Sequence, residues 1–530
     1  MEMFDHIKPD PVVEQPEEPQ YDRLSKADPE LSDADILRQI PEYHAVDLLD
    51  GDASDADQAK RYAMLFSGFM KYMPAEKVWY IYHPTKNRWL AETEKRGIAS
   101  RGLRVMQTLI EDAMEEGIDK MMQEVGVLGE TSDDKQKRKE ILRQIAQMQG
   151  KASCLKEYKK QTSVLSIAER MNEFTIRPDY FDNAIEEINC LNGVVDLRNN
   201  ALLPPEPDRL ASKQCYAEFR NYTSNKHFEH DMAWIVNGRP GLREYLQFVF
   251  GQCLIGRNVE KTMYVIQGES NTLKSMVNSL VAAVLQDYAF QAPATFLLGQ
   301  NAKSGHQETL ANTQGCRVLL MNESREGVAI DTAFLKSISA ADEQRASKKG
   351  QHEKEFKPKF TPILFTNWPI QIAITDSAVI NRVKIIPFDH VMPDEMQIKS
   401  YEDIMLTPSY KSAFFNFAIE GAQRYLRGEK AEVPECVEMA TAAAVNESND
   451  LTWFFEAQMR FDSKLEFEFG PVYARYQSEC VKRRVPAKEI LTYKMFSLAL
   501  RNMGCEKFRT HEGKKWTGAC LRDDVPYDSF

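Results

Sequence analysis

Three observations predict a multidomain α/β protein organised round a phosphate-binding core. The first is residues 261–275, KTMYVIQGESNTLKS, where an apolar strand-like run leads through a short polar loop into the amphipathic helix KSMVNSLVAAVL. The second is a series of later apolar runs with polar ends: RVLLMNE at 317–323, PILFTN at 362–367 and, behind Arg382, VKIIPF at 383–388. The third is size and composition. With 530 residues, 43% hydrophobic and 28% charged, the chain is long enough for about three ordinary domains.

Residues 1–60 are rich in Asp, Glu and Pro and lack sustained periodicity, and about 1–30 reads as a disordered acidic tail. The start, MEMFDHIKPDPVVEQPEEPQ, has none of the regions of a signal peptide, and no apolar run approaches the roughly 20 residues of a membrane span. A soluble, cytoplasmic protein without membrane contact is expected. The formal net charge of −12 argues against a surface coated in phosphate-binding residues, but leaves room for a local basic lining. Nine cysteines stand singly with no CxxC, which suggests small buried apolar residues rather than a zinc site or a disulfide framework. His227 and His230 form an HxxH with no cysteine or acidic partner set nearby, so no metal is expected there.

From about residue 60 the pattern tightens. Residues 62–66 read as helix, and 79–82 with 88–90 as two strands round the turn HPTKN. Residues 98–175 are helical, and the charged run DDKQKRKEILRQIAQMQ reads as a solvated helix face. A hairpin with an Asn-Gly turn is expected over 191–197, a surface loop at PPEP (204–207) and a lead-in helix at about 242–255. After the core, 409–425 and 433–446 read as helices. A final unit then shows a helix PVYARYQSECVKRR, a helix EILTYKMFSLALRNMG, and strands 507–510 and 516–521 flanking the turn HEGKK. The implied divisions are 1–60, 61–225, 226–400 and 401–530.

The loop at 268–275 carries the chemistry. Binding of nucleotide phosphates asks for backbone N–H groups curled at a helix N-terminus, a lysine against the β/γ-phosphates and a hydroxyl for magnesium. Gly268, Lys274 and Ser275 stand at the right offsets, with Glu269, Ser270, Asn271, Thr272 and Leu273 forming the loop between them. Leu273 occupies the place where a glycine would accept the backbone geometry at little steric cost. The run ends then supply an acid, Glu323, an amide, Asn367, and an arginine, Arg382, and that order describes an ATPase core. Arg382 is read as displayed at a subunit edge, the alternative being a surface arginine bonded to Asp376 or Asp389. Between the acid and amide runs lies DEQRASKKGQHEKEF, where Lys348 and Lys349 flank a turn-forming glycine and His352 follows. It reads either as a hairpin tip suited to tracking a sugar-phosphate backbone or as a solvated loop.

The segments GESNTLKS at 268–275, RVLLMNES at 317–324, LKSISAADEQRASKK at 335–349, FKPKFTPILFTNWPI at 356–370 and NRVKIIPF at 381–388 resemble, in order and spacing, the superfamily 3 helicases of the AAA+ class. The likeness is strongest to the helicase half of phage, plasmid and poxvirus primase-helicases and covers about residues 75–525. It implies an AAA+ type P-loop ATPase core, a helical N-terminal domain and a C-terminal winged helix. It implies ATP and Mg2+ as cofactors, with Lys274 and Ser275 as the Walker A lysine and hydroxyl, Glu323 as the Walker B carboxylate, Asn367 as the polar sensor and Arg382 offered to a neighbour's ATP. Ser275 and Glu323 would face the metal. Asn322 occupies the first of the two acidic places usual in Walker B.

The resemblance further implies self-association into a ring, a hexamer, acting on single-stranded and forked DNA, with Lys348, Lys349 and His352 in the channel. Lys507, Arg509, Lys514 and Lys515 of the winged helix would touch DNA, or the module would contact protein instead. Two function classes follow. One is an ATP-dependent replicative DNA helicase of a phage or other mobile element. The other, motivated by Leu273 and Asn322, is a DNA-binding replication initiator or assembly platform with a weakened or inactive ATPase. Only about 75 residues precede the resembling segment, too few for a catalytic primase domain, so a separate primase or initiator is expected as partner.

Overall fold

Capping side chains start the first helices. Ser32 and Asp35 form a reciprocal capping box: the Asp35 N–H donates to Ser32 Oγ at 3.2 Å and the Ser32 N–H to Asp35 Oδ2 at 3.1 Å. The helices Asp33–Leu37 and Ala45–Leu49 thus form within the acidic N-terminal stretch. The computed structural model describes residues 31–50, 52–92, 97–220, 224–258, 260–293, 296–297, 309–322, 332–339, 344–346, 354–370, 381–397, 400–447, 451–485, 490–510 and 513–524. The expected tail at 1–30 lies outside them.

Two compact units emerge, one from the chain up to Ser67 together with Gly97–Ala168, the other from Gly68–Arg96 together with Glu169–Phe530. The first is helical. Asp55–Phe66, Gly97–Val127, Ser132–Ser153 and Tyr158–Ala168 bury stripes such as Leu103, Met106 and Ile110, at the three-and-four spacing of one helix face. Among the described residues of Ser132–Ser153, Ile141 and Ile145 are the buried ones, while Lys135, Lys137, Lys139 and Arg143 are exposed, so the charged run is a solvated face.

The second unit begins with β1 (Met70–Met73), β2 (Val78–His83) and β3 (Arg88–Ala91), an antiparallel meander in which β1 is a strand that the sequence pattern did not show. A second meander follows, β4 (Glu187–Cys190), β5 (Gly193–Asp196) and β6 (Ala201–Leu203). Its turn sits one residue earlier than expected. Cys190 pairs with Gly193, so Leu191-Asn192 make the turn, because the Asn192 side chain is held by both backbone groups of Phe219, at 2.9 Å each.

The central sheet contains β7 (Met263–Gln267), β8 (Ala289–Pro293), β9 (Val318–Asn322), β12 (Thr361–Thr366) and β13 (Val383–Pro387). Between β9 and β12 in sequence lie β10 (Gln344–Ala346) and β11 (Lys354–Phe356), a separate antiparallel pair. All pairings in the central sheet are parallel and the order is β13-β7-β12-β9-β8. The strands are apolar on both faces, as parallel strands covered by helices must be. Tyr264, Ile266, Leu320, Ile363 and Phe365 join one core with the helices Leu242–Gln252, Lys274–Leu285 and Pro408–Leu426, whereas Met263, Val265, Leu319, Met321 and Leu364 join another with Leu335, Ile338 and the C-terminal unit.

The helices Leu242–Gln252 and Pro408–Leu426 meet backbone to backbone. A Cβ added at Gly421 would lie 1.8 Å from the Gln247 carbonyl oxygen, and one at Gly251 would lie 2.3 Å from Ala422 N. Gly421→Ala is therefore expected to force the helices apart and to destabilise the second unit by about 3 kcal/mol, at the upper end of ordinary overpacking. Thermal melting followed by circular dichroism checks this, and an unshifted transition would show that the helices separate without cost.

The C-terminal unit comprises β14 (Met459–Phe467), the helices Phe469–Lys482 and Tyr493–Asn502, β15 (Glu506–Thr510) and β16 (Gly513–Leu521), in sheet order β14-β16-β15. Two expectations change here. β14 is a strand on the far side of β16, and Thr510 pairs with Gly513, so Lys514 and Lys515 are strand residues opposite Arg509 and Phe508 rather than part of the turn. The longer ladder satisfies more backbone groups than the wide turn read from HEGKK would. Seven of the eight described cysteines are buried and none is in a disulfide, in keeping with small apolar residues.

Candidate functional site

The loop after β7 is shaped by its neighbours. The Gly268 N–H donates to Thr366 O at 3.2 Å, and a Cβ on Gly268 would stand 1.7 Å from the Phe388 carbonyl oxygen, so the backbone of the chain leaving β13 excludes any side chain there. The Met392 N–H donates to Asn271 O at 2.8 Å and holds the loop from outside. Glu269, Ser270 and Asn271 are exposed at its crest.

Leu273 answers the question that the sequence posed. It has φ 66° and ψ 3°, the left-handed conformation a glycine would adopt at least cost, directly before the helix Lys274–Leu285. That conformation costs a β-substituted residue about 1–2 kcal/mol. The side chain is 8% exposed and packs in the core beside Val277, so burial worth about 1.5–3 kcal/mol offsets the strain. Leucine thus keeps the loop backbone while turning its side chain away from the crest. Leu273→Gly is expected to keep nucleotide binding within about twofold and to change stability by no more than about 2 kcal/mol, because strain relief and lost burial oppose each other. Equilibrium nucleotide binding and a melting curve test this; a severe loss of binding would show that the leucine shapes the cradle itself.

Lys274 is buried, at 6% exposure. Its ammonium donates to the Glu269 carbonyl and, at 3.1 Å, to Thr272 Oγ1, which in turn donates to Glu269 O at 2.9 Å. Burial pushes its pKa down from the usual lysine value, while Glu269 pulls it up. Ser275 is exposed in the first helical turn, where backbone N–H groups lack intrahelical partners. An exposed crest, a buried ammonium beneath it and free donors at a helix N-terminus fit a polyphosphate, and the Ser275 hydroxyl would hold a magnesium ion carried with it.

The strand register brings other residues to the same edge of the sheet. Thr366 pairs with Gln267 and Phe365 with Asn322, so the ends of β7, β12 and β9 lie side by side. Thr366 Oγ1 accepts the Trp368 N–H at 2.9 Å, and that tight turn leaves Asn367 exposed beside the loop. Asn322 is exposed at the end of β9; Glu323, the next residue, lies outside the described residues. Arg382 is elsewhere. It immediately precedes β13, and its carbonyl accepts the Met263 N–H at 2.7 Å at the start of β7. Five strand residues, roughly 16 Å at 3.3 Å each, separate it from the loop of its own chain. Asp389 is not its partner: it pairs with Arg239 at 3.0 Å. Asp376 lies outside the described residues.

The arms of the expected hairpin are present, Gln344 pairing with Phe356 and Ala346 with Lys354, while Lys348, Lys349 and His352 lie outside the described residues. Lys514 and Lys515 are in β16, far along the chain in the C-terminal unit, and are not part of the loop edge. Sequence reasoning missed the pair Trp234 and His390, whose rings are 4.1 Å apart and whose indole N–H donates to the His390 carbonyl at 3.2 Å. They stand beside Met392, the residue that holds Asn271, and no spacing rule joins residues so distant in sequence. Among the described residues no helix is long and apolar enough to cross a membrane.

Residues 59–251 match the family described as D5 N terminal like. The chain is 26% identical over 247 residues to "Putative helicase L207/L206" of Acanthamoeba polyphaga mimivirus, a match covering 44% of this chain and 25% of that protein. It is 23% identical over 168 residues to "Putative helicase 184R" of Invertebrate iridescent virus 6, covering 31% and 17%. The chain therefore spans a quarter or less of the length of these curated relatives. Among solved structures, the A form apo structure of the NrS-1 C terminal region aligns with 57% of this chain and 78% of its own, at 13% identity and a TM-score of 0.33. The family match and the two viral relatives together support a primase-helicase-like relationship.

Proposed function

We propose that this chain is the motor of an ATP-dependent DNA helicase serving replication in a phage, virus or other mobile element, acting as a ring of the superfamily 3, AAA+ kind. The observation that carries the reading is the division of labour across one parallel sheet. Three adjacent strand ends gather the phosphate loop, Asn367 and the end of β9 at one end of the sheet, and Arg382 stands at the opposite end of β13, which supports reading it as an arginine offered to a neighbouring subunit's nucleotide. Ligands of open parallel sheets bind at the carboxyl ends of the strands. ATP and Mg2+ would occupy the loop, with Glu323 and Asn367 orienting the attacking water and the γ-phosphate. The hairpin of β10 and β11 would carry Lys348, Lys349 and His352 to single-stranded or forked DNA in the ring's channel, and the C-terminal unit would serve as a winged helix. The similarity to viral proteins named as helicases agrees with this reading.

The test is ATP turnover with and without single-stranded DNA, on material of known oligomeric state. Turnover stimulated by DNA is the expected result. The second reading, a DNA-binding initiator or assembly platform with a weak ATPase, is favoured by Asn322, an exposed amide where the family carries an acid. Nucleotide binding without turnover would decide for it.

A further inference from the structure

The C-terminal unit is charged oppositely to the chain that carries it. Residues 459–524 hold 14 Lys and Arg against 9 Asp and Glu, whereas the whole chain has a formal net charge of −12. A local cationic surplus is the footprint of a surface for a polyanion.

Two helices of the unit carry exposed cations, and they are in different situations. On Tyr493–Asn502, Lys494 Nζ lies 2.9 Å from Glu438 Oε1 and Arg501 Nη1 lies 2.9 Å from Glu435 Oε1. Both acids belong to the helix Glu435–Glu447, which is fixed to the edge strand β13 by a hydrogen bond from the Ile385 N–H to Thr441 Oγ1 at 2.9 Å. The cations of Tyr493–Asn502 are thus already paired with acids of the same chain, although these pairs lie at the surface.

At the end of Phe469–Lys482 the situation differs. Lys482, Arg483 and Arg484 are three successive exposed cations. Among the described residues the acid paired with them is Glu479, 2.6 Å from Lys482 and shared with Arg475 at 3.9 Å. The Arg483 guanidinium lies 4.1 Å above the Trp453 ring, which orders it while leaving its N–H fork available. Arg484 has φ 56°, so the chain turns there, just past the helix end. A helix C-terminus favours cations, but the dipole is answered within its last turn and does not require three.

We propose that the C-terminal unit, with Tyr493–Asn502 docked on Glu435–Glu447, binds the phosphate backbone of DNA through Lys482, Arg483 and Arg484. This rests on the helicase reading for the choice of DNA as the polyanion and deepens it by naming the contacting surface. Such contacts position a duplex without reading its sequence.

The experiment measures binding of a fluorescein-labelled DNA duplex of about 20 base pairs to the full chain by anisotropy across a salt series. Lys482→Ala, Arg483→Ala and Arg484→Ala combined are expected to weaken binding about tenfold or more and to flatten the slope of log K against log salt by about 2–3. Lys494→Ala with Arg501→Ala is expected to bind within twofold of the parent. An unshifted thermal transition in both variants verifies folding. The proposal is overturned if the parent binds no duplex, if the triple variant binds as the parent does, or if the Lys494/Arg501 variant alone loses binding, since that result would mean the docked helix is released to contact DNA. ATP turnover is read separately. Weakened duplex binding by the triple variant in a chain without turnover would remove the motor and leave this surface standing; intact turnover with unchanged binding would do the reverse.

Discussion

Replacing Lys274 with alanine is expected to lower ATP turnover by orders of magnitude while the fold persists. The ammonium sits beneath an exposed loop crest and donates to the Glu269 carbonyl and the Thr272 hydroxyl. Phosphate oxygens arriving at the crest would compete for the same donors with a full negative charge, and a charge-assisted bond in a partly desolvated site outweighs one to a neutral carbonyl. Removing the lysine takes that charge away from the β/γ-phosphates, where it is needed most as negative charge builds in the transition state. The loop itself retains its turn, because the bond from Thr272 Oγ1 to Glu269 O does not involve the lysine. Steady-state turnover within twofold of the parent, with an unshifted thermal transition, would remove Lys274 from the phosphate site.

Arg382→Ala is expected to reduce turnover by about 10³–10⁵, the range found when an arginine stabilising transferred phosphates is lost. The sheet makes the test sharper than the sequence does. With Arg382 before β13 and the loop after β7, roughly 16 Å of strand separates the two in one subunit, more than an arginine side chain spans. Any direct action on ATP would then be in trans. Mixing Lys274→Ala subunits with Arg382→Ala subunits, each inactive alone, should regenerate interfaces in which both groups are intact and so restore measurable ATPase. Mixed rings that form but stay inactive would count against a shared site. Since the strand length also excludes action within one subunit, Arg382 would then have no direct part in hydrolysis.

Some of this was legible in the sequence and some was not. The run MYVIQ followed by a polar loop and KSMVNSLVAAVL reads as strand, loop and helix because apolar periodicity and turn chemistry are local properties. The same holds for Thr361–Thr366 and Val383–Pro387, whose alternate residues are buried on opposite faces of one sheet. Boundaries were less legible. Lys514 and Lys515 moved from turn to strand and the hairpin turn moved to Leu191-Asn192, because register depends on the partner strand and on side chains such as Asn192 that bond to distant backbone.

By itself the sequence determined which residue types stand at the ends of the apolar runs: Lys274 and Ser275, Glu323, Asn367, and Arg382 ahead of its strand. It also determined the helical character of 97–168 and the cationic excess of the C-terminal unit. Only the tertiary structure decided where those residues stand in relation to one another. The parallel pairing of β12 with β7 puts Asn367 beside the loop, and that of β13 with β7 puts Arg382 at the opposite end of the strands; a chain written in one dimension does not state which strands pair. Whether Leu273 could replace a glycine depended on burial of its side chain in the core it shares with the helices Leu242–Gln252 and Pro408–Leu426, which offsets its left-handed backbone. That Lys494 and Arg501 are paired with Glu438 and Glu435, across more than 50 residues of chain, was decided by the packing of two helices. Such pairings are set by packing between distant segments, and packing is the part of the code that local spacing leaves unwritten.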